Sequence, residues 1–395
     1  VTAIDPRDRP IGRLLRASQS ADPDALVETL SMTVADLGGT DVVLYLVDYA
    51  HAVLMPHPDA LPHGEQPRVT TVDGSMAGRA FVSGQPLASE RDDGWHVWIP
   101  VTERVNQLGV LSMTLPAWND DVEAFCTELG YAAAHLVVTS ADYTDLPHLL
   151  RRRQNMDLAA EMQWSVLPPL SFATGGTTVA GLLEPAYEVG GDCFDYALND
   201  GVLDLVVFDA VGHGLASAVL GSLLMGAYRH GRRNAKQLPA LAKCIDEAVR
   251  ACPGQAPFAT ALLGRLDVPS GQLSWVSCGH PQPIIVRRGS TLAETEFVPA
   301  LPVGLGSIAT VVGDLVTVDL EPGDGVLFYT DGVVDARSSE GDSFGEERLR
   351  DLLAREHLAG GSSQEVVRRL IRAALEHTGA PLRDDATVLY LRWGG

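Results

Sequence analysis

The sequence predicts an α+β chain of two folded modules with a helix between them, on three observations. The 395 residues exceed what one ordinary core organises, so two or three domains are expected. Some stretches carry apolar residues at helical spacing, and others carry short apolar runs bounded by turn residues. Beyond residue 170, four aspartates each stand where an apolar strand meets a loop.

Residues 1–21 read as a loose N-terminal arm. Asp22-Pro23 reads as a cap with proline at the first helical position. Leu26, Val27, Leu30, Val34 and Leu37 then repeat with helical period, and Gly38-Gly39 stops the run. DVVLYLVD (41–48) and HAVLMP (51–56) predict two strands around a short turn. A short helix is expected over 75–82, a hairpin from HVWIPV and LGVLSMTL joined through VNQ, and a closing helix over 120–138. That makes a sheet of about five strands with helices, a small α+β module. The order of elements, GSMAGRAFVSGQPL (74–87) and the IPV…LGVLSM hairpin (99–113) resemble a GAF domain over residues 22–140. The resemblance implies a sensor that binds an unknown small ligand, or a dimerisation or signalling scaffold. Cys126 reads as packing on the closing helix.

Residues 141–169 read as a linker helix. Leu149, Leu150, Met156, Ala159, Met162 and Val166 recur at helical spacing, Arg151, Arg152, Arg153 and Glu161 mark a wet face, and Pro168-Pro169 ends the run. The plain reading is a connecting helix. The sharper one is a helix that pairs in a homodimer and transmits a signal, and the short heptad does not decide between them.

Residues 170–395 carry the chemistry. Asp192 lies in EVGGDCFDY, Asp209 closes LDLVVFD, Asp331 closes GVLFYTDG and Asp384 opens RDDATVLYLRW. Any one of these could be a turn former. Four at strand ends in one module fit a cation site better, because strands disfavour Asp and an unpaired buried carboxylate is costly. An all-oxygen set suits hard cations, Mg²⁺ or Mn²⁺. Two such ions together can activate a water and clamp a phosphoryl group. His213 invites a general-acid role but also reads as a loop residue shaping the GHG turn, and His280 reads as structural.

EVGGDCFDY, VVFDAVGHGLASAV, FATALL, SCGHPQPI, LPVGLG, LEPGDGVLFYTDGVVDA and RDDATVL follow one another along 175–393. In that order they resemble metal-dependent protein phosphatases of the PPM superfamily, in the bacterial branch of stage II sporulation protein E and the sigma-B regulators. The resemblance implies an αββα-type sandwich and a serine/threonine phosphatase with two Mn²⁺ or Mg²⁺ ions. It implies that Asp209 bridges both ions and that Ala210 offers its carbonyl to one. Asp331 and Asp384 would hold the second ion, with Asp385 as an alternate, and Asp192 would bind directly or through water. The implied partner is a phosphorylated anti-anti-sigma protein of the STAS type. Cys193 stands where the family usually has an aromatic residue, and Asp335 where it has Glu.

Composition narrows the alternatives. With 29 Lys and Arg against 51 Asp and Glu, the formal charge is −22, which disfavours nucleic acid and anionic membranes as partners. Five dispersed cysteines without a CxxC pair suggest reduced thiols and a cytoplasmic setting. No apolar run is long enough to span a bilayer, and no signal peptide is visible in the given sequence. A diguanylate cyclase reading of GGDCF fails at Cys193, where Glu is required. A hydrolase using His213 and Ser217 lacks an orienting third group. A GAF-based scaffold with an inactive phosphatase-like domain is the main rival, and the filled aspartate set argues against it.

Overall fold

The computed structural model describes residues 10–58, 68–184, 190–252, 257–308, 313–380, 382 and 384–395. Residues 1–9 of the expected arm, Glu188 and Val189 of EVGGDCFDY, and Arg383 lie outside them. The chain divides into two units, 1–154 and 155–395.

The first unit contains α1 (Pro10–Ser18), α2 (Leu26–Ala35), β1 (Thr40–Val47), β2 (Val53–Pro56), β3 (Thr70–Thr71), α3 (Met76–Ser83), β4 (Leu87–Arg91), β5 (Gly94–Glu103), β6 (Asn106–Leu115), α4 (Asp120–Ser140) and α5 (Leu146–Leu150). Its antiparallel sheet runs β3-β2-β1-β6-β5-β4. Strand alternation sorts the apolar side chains. Leu44, Ile99, Leu111 and Met113 form one core with Leu30 and Val34 of α2 and Leu129 and Ala133 of α4. Val47, Leu54 and Val110 pack on the other face with Ala77 and Phe81 of α3. This α/β arrangement is consistent with a GAF-like module.

Two expectations change here. The arm is not loose throughout. Pro10–Ser18 is a helix, because Ile11 and Leu14 fall on one face and Leu14 is buried in the core. Asp22 does not cap the next helix. Its carboxylate accepts from the Asp24 backbone N–H (3.2 Å) in a turn, and α2 begins at Leu26.

The expected linker helix is also broken. α5 stops at Leu150, and α6 (Leu158–Val166) starts only after Asp157, whose side chain accepts from the Ala160 N–H (2.8 Å). The intervening arginines are drawn to the first unit. Arg151 Nε donates to the Val47 carbonyl (3.0 Å), and Arg153 pairs with buried Asp48 (2.6 Å). The boundary therefore falls at 154/155, inside the segment read as one linker, and α6 belongs to the second unit.

After α6 the second unit continues with β7 (Ser171–Thr174), β8 (Thr177–Glu184), β9 (Cys193–Asn199), β10 (Val202–Ala210), α7 (Leu215–Arg233), α8 (Leu238–Arg250), β11 (Ala259–Asp267), β12 (Gln272–Cys278), β13 (Ile284–Arg287) and β14 (Ser290–Thr291). It closes with β15 (Val316–Asp319), β16 (Gly325–Tyr329), α9 (Asp331–Val334), α10 (Glu346–Leu358), α11 (Ser363–Thr378) and β17 (Ala386–Arg392). Two antiparallel sheets result, β15-β12-β11-β10-β9 and β14-β13-β16-β17-β8-β7. They are the sandwich that the resemblance implied. Along β10, Leu205 and Val207 face the core between the sheets, while Val206 and Phe208 face α7 and α8. Leu353 of α10 and Val367, Leu370 and Ile371 of α11 close the outside of the second sheet.

The sheets interlock through two reciprocal contacts. The Phe194 ring on β9 lies over Gly181 of β8, where a Cβ would come within 2.4 Å of it. The Phe328 ring on β16 lies over Gly264 of β11, where a Cβ would come within 2.8 Å. Gly181→Ala and Gly264→Ala should each lower stability by about 1–3 kcal/mol through overpacking. In denaturant melts, Phe194→Leu should recover part of the loss in Gly181→Ala and none of it in Gly264→Ala.

Candidate active site

The site is built at one end of the sandwich from strand termini. β10 carries VVF through the core and brings Asp209 to the rim beside Ala210. The strand end is fixed by bonds from Ala210 N to the Gly191 carbonyl (3.3 Å) and from Val211 N to the Phe258 carbonyl (3.1 Å). Gly212 and Gly214 take φ of 96° and 79°, which lets the chain turn directly into α7. Asp331 is the first residue of α9, two residues after the end of β16, with Thr330 between them. Asp384 and Asp385 precede β17, and Asp192 precedes β9. The end of the apolar run sets each position, as the sequence pattern suggested.

The carboxylates form an inner pair and an outer rim. Asp192 and Asp385 are buried, and the Asp192 backbone N–H donates to the Asp385 carboxylate (3.0 Å). Thr330 donates its hydroxyl to Asp192 Oδ2 (2.6 Å) and accepts from the Thr387 N–H (2.9 Å). Burial, then Asp385 and Asp209, raise Asp192 well above the usual carboxylate range. Burial also raises Asp385, with Asp384 and Asp209 adding repulsion. Asp209 is half-buried and is pushed up to about 6 by burial, then by Asp331 and Asp384. Exposed Asp331 is raised by partial burial of its carboxyl, then by Asp384 and Asp335. The charges acting on all four are other aspartates and not Lys or Arg.

The structure thus brings Asp192, Asp209, Asp331 and Asp384 into one electrostatic cluster and adds Asp385 to it. Among the described residues, no three His, Cys, Asp or Glu side chains converge as a ready-made cation cage. The donor chemistry nevertheless suits hard cations. It is all oxygen, crowded with like charge, and the Ala210 carbonyl stands beside it.

Other side chains are placed less as a mechanism would need. His213 is exposed on the GHG loop, and among the described residues no hydrogen bond or ion pair is recorded that orients it. Ser217 donates to the Gly214 carbonyl (2.8 Å) and is buried, so it is not a free nucleophile. The thiols of Cys193 and Cys278 are buried. Burial raises both, Cys278 to about 12, so neither is a thiolate near neutral pH. His280 is buried and braced by hydrogen bonds.

Sequence reading missed Gln163 and Thr330 and ranked Asp385 only as an alternate. Gln163 Nε2 on α6 donates to the Asp192 carbonyl (2.5 Å). Its signal was present but weak, a single amide on an otherwise apolar helix face. Thr330 lay inside FYTDG and read as strand.

Residues 199–394 match the family of stage II sporulation protein E (SpoIIE). This segment is a SpoIIE-type domain. The matched segment holds Asp209, Asp331 and Asp384 and leaves Asp192 just outside. The chain is similar to the phosphoserine phosphatase RsbU of Bacillus subtilis, 23% identical over 245 residues, 61% of this chain and 70% of that protein. It is also similar to protein IcfG of Synechocystis, 25% identical over 60% of this chain, and the alignment spans only 41% of that relative. Among solved structures, the SiaA-PP2C domain of Pseudomonas aeruginosa is 25% identical, with a TM-score of 0.49 over 59% of this chain and 94% of that one. The RsbU and RsbW domains of a Mycobacterium tuberculosis protein are 27% identical, with a TM-score of 0.48 over 55% of this chain and 60% of that one.

The inner pair depends on Thr330. Thr330→Val removes a donor from a buried carboxylate and should lower stability by about 1–3 kcal/mol. Thr330→Ser keeps the hydroxyl and should recover most of it in denaturant melts. Equal losses in the two variants would assign the effect to packing instead of the hydrogen bond.

Proposed function

We propose that the chain is a metal-dependent protein serine/threonine phosphatase that acts on a phosphorylated anti-anti-sigma protein of the STAS type, under control of its N-terminal GAF-like unit. One observation carries the reading of the site. Asp192, Asp209, Asp331, Asp384 and Asp385 are crowded at one end of the sandwich, and burial and like-charge repulsion raise the carboxyls of Asp192, Asp209, Asp331 and Asp385. Such a cluster is unfavourable alone and favourable around divalent cations.

In this reading Asp209 would hold both ions, the Ala210 carbonyl would serve one, and Asp331 and Asp384 would serve the other. Asp192 binds directly or through a water. When bound, Mn²⁺ or Mg²⁺ supplies an activated water and offsets the charge of the phosphoryl group. The chain itself contributes rigid placement. Asp209 and Asp331 stand on or beside the termini of strands from opposite sheets, and Thr330 holds Asp192 below them. His213 is positioned in sequence to protonate the departing hydroxyl, a role that requires the GHG loop to bring its ring inward. Cys193 and Cys278 are buried thiols and Ser217 is bonded to the Gly214 carbonyl, which supports a reading without a phosphoenzyme on these residues.

The partner assignment draws support from the likeness to RsbU and from the sigma-regulator motifs. Family phosphatases of this kind are metal-dependent, which supports the cofactor assignment. Control is proposed to run through α6, whose Gln163 touches the Asp192 backbone, with a homodimer as the mode and a small molecule on the GAF-like unit as the input. Among the described residues no helix is long and apolar enough to cross a membrane.

Calorimetric titration with Mn²⁺ beside phosphopeptide turnover tests the mechanism. Asp209→Asn should lose metal affinity most, Asp331→Asn and Asp384→Asn next, and Asp192→Asn least, with the fold retained in circular dichroism. His213→Ala should slow turnover within roughly the 10²–10⁴-fold span of acid–base catalysis and leave metal affinity unchanged. Parental Mn²⁺ binding and turnover in Asp209→Asn would sink the two-cation reading. Hydrolysis that survives chelation would sink the metal dependence, and an inactive, metal-loaded parent would favour the scaffold alternative.

A further inference from the structure

A buried imidazole reaches the edge of the carboxylate cluster without belonging to it. β10 and β11 pair so that Asp209 stands directly opposite Thr260. Directly opposed residues of an antiparallel pair put their side chains on the same face, with Cβ atoms roughly 4.5–5.5 Å apart, so the Thr260 hydroxyl and the Asp209 carboxylate are neighbours. The hydroxyl also lies 2.6 Å from Nδ1 of His280. Nε2 of the same ring lies 3.0 Å from the Tyr329 carbonyl on β16. The ring therefore spans the two sheets, touching the residue opposite Asp209 on one and the residue two before Asp331 on the other. Its own backbone is pinned, since Ser277 Oγ donates to the His280 carbonyl (2.7 Å) and accepts from the His280 N–H (3.2 Å).

Proton counting fixes the direction of each bond. A carbonyl only accepts, so Nε2 carries the ring hydrogen. Burial lowers the ring to about 4, so it is neutral near pH 7 and Nδ1 is an acceptor. Thr260 has one hydroxyl proton and two acceptors in reach, Nδ1 and Asp209. Among the described residues Nδ1 has no other donor, and a buried acceptor left bare is costly. Asp209 sits at the rim, where a cation can serve it. The proton belongs on the bond to Nδ1. A hydroxyl proton aimed at Asp209 would instead occupy a lone pair that a cation needs.

We propose that His280 is a positioning residue of the phosphatase site: it holds the Thr260 hydroxyl turned away from Asp209 and so keeps that carboxylate open to metal. This inference rests on the metal-dependent reading given above. His280 touches neither substrate nor cation. It acts through Thr260.

The test uses the full chain, Mn²⁺ alone as the probe, calorimetry for affinity and thermal melts for folding. His280→Asn places an amide oxygen near the Nδ1 position and should bind Mn²⁺ like the parent. His280→Gln can still reach the Tyr329 carbonyl but leaves Thr260 without its acceptor. The hydroxyl then turns to Asp209, and Mn²⁺ affinity should fall about 10- to 100-fold, the span of a hydrogen bond to a charged group. Adding Thr260→Val to His280→Gln removes the competing donor and should restore affinity, although the melting temperature falls further. A ring that mattered only for packing would show no such rescue. An unchanged affinity in His280→Gln, or a double variant no tighter than His280→Gln, overturns the proposal. If His280→Gln does not fold, Thr260→Val alone decides. Parental affinity supports the proposal, and a loss shows that the hydroxyl serves Asp209 directly and overturns it. A parent that takes up no Mn²⁺ removes the functional reading itself, an outcome distinct from those of the variants.

Discussion

Repulsion between like charges is the constraint around which the second unit is arranged. Two carboxylates 4 Å apart near a protein surface oppose each other by roughly 4 kcal/mol, and five aspartates share this end of the sandwich. Flexible loops would relax such a cluster. Here Asp209 is on a strand, and Asp192, Asp331, Asp384 and Asp385 lie within two residues of one, all backed by a packed core. The reciprocal seating of Phe194 on Gly181 and Phe328 on Gly264 locks the sheets in register, and register sets the spacing of the acids. Packing between the sheets thereby holds the charges where they repel.

Polar braces divide the work between inner and outer oxygens. Thr330, the Asp192 backbone and Gln163 engage the inner pair, which cannot reach water. The rim carboxylates receive less of this, and Asp209 and Asp331 remain partly open. A buried network of this kind is stabilising only when its members are satisfied.

Most of the architecture was legible because strand ends and carboxylates are written in the same place. VVFD and LFYTD each show an apolar run stopping at an acid, and both acids stand at the rim. The β-hairpin from HVWIPV to LGVLSMTL and the helix over 120–138 were legible for the same reason, a clear period between clear breaks. Where the period was ambiguous, the reading failed. LLRRRQNMDLAAEM keeps enough helical spacing to look continuous, yet Arg151 and Arg153 find acceptors on β1 and at Asp48, and Asp157 caps a new helix. PIGRLL looked like an arm because one short turn of apolar spacing carries little weight without knowledge of the core that Leu14 enters. Asp385 and Gln163 were hard to rank since burial, not residue type, gives them their place. The two sheets also bring Thr260, His280 and Tyr329 together from distant segments, a juxtaposition that spacing along the chain does not encode.

The break between α5 and α6 also decides where the molecule can be divided. α6 is fastened to the second unit at two points. Gln163 holds the Asp192 carbonyl, and the Val166 carbonyl receives Arg229 (2.6 Å), which is itself clamped on buried Asp195 (2.9 Å). A fragment starting at residue 170, the boundary suggested by Pro168-Pro169, would strip both fastenings, taking Gln163 from the Asp192 carbonyl and the Val166 carbonyl from Arg229. A fragment starting at residue 155 keeps them. What looks on paper like the tail of a connector is, in three dimensions, the first structural member of the catalytic half, and recombination between such halves in other proteins should respect that seam.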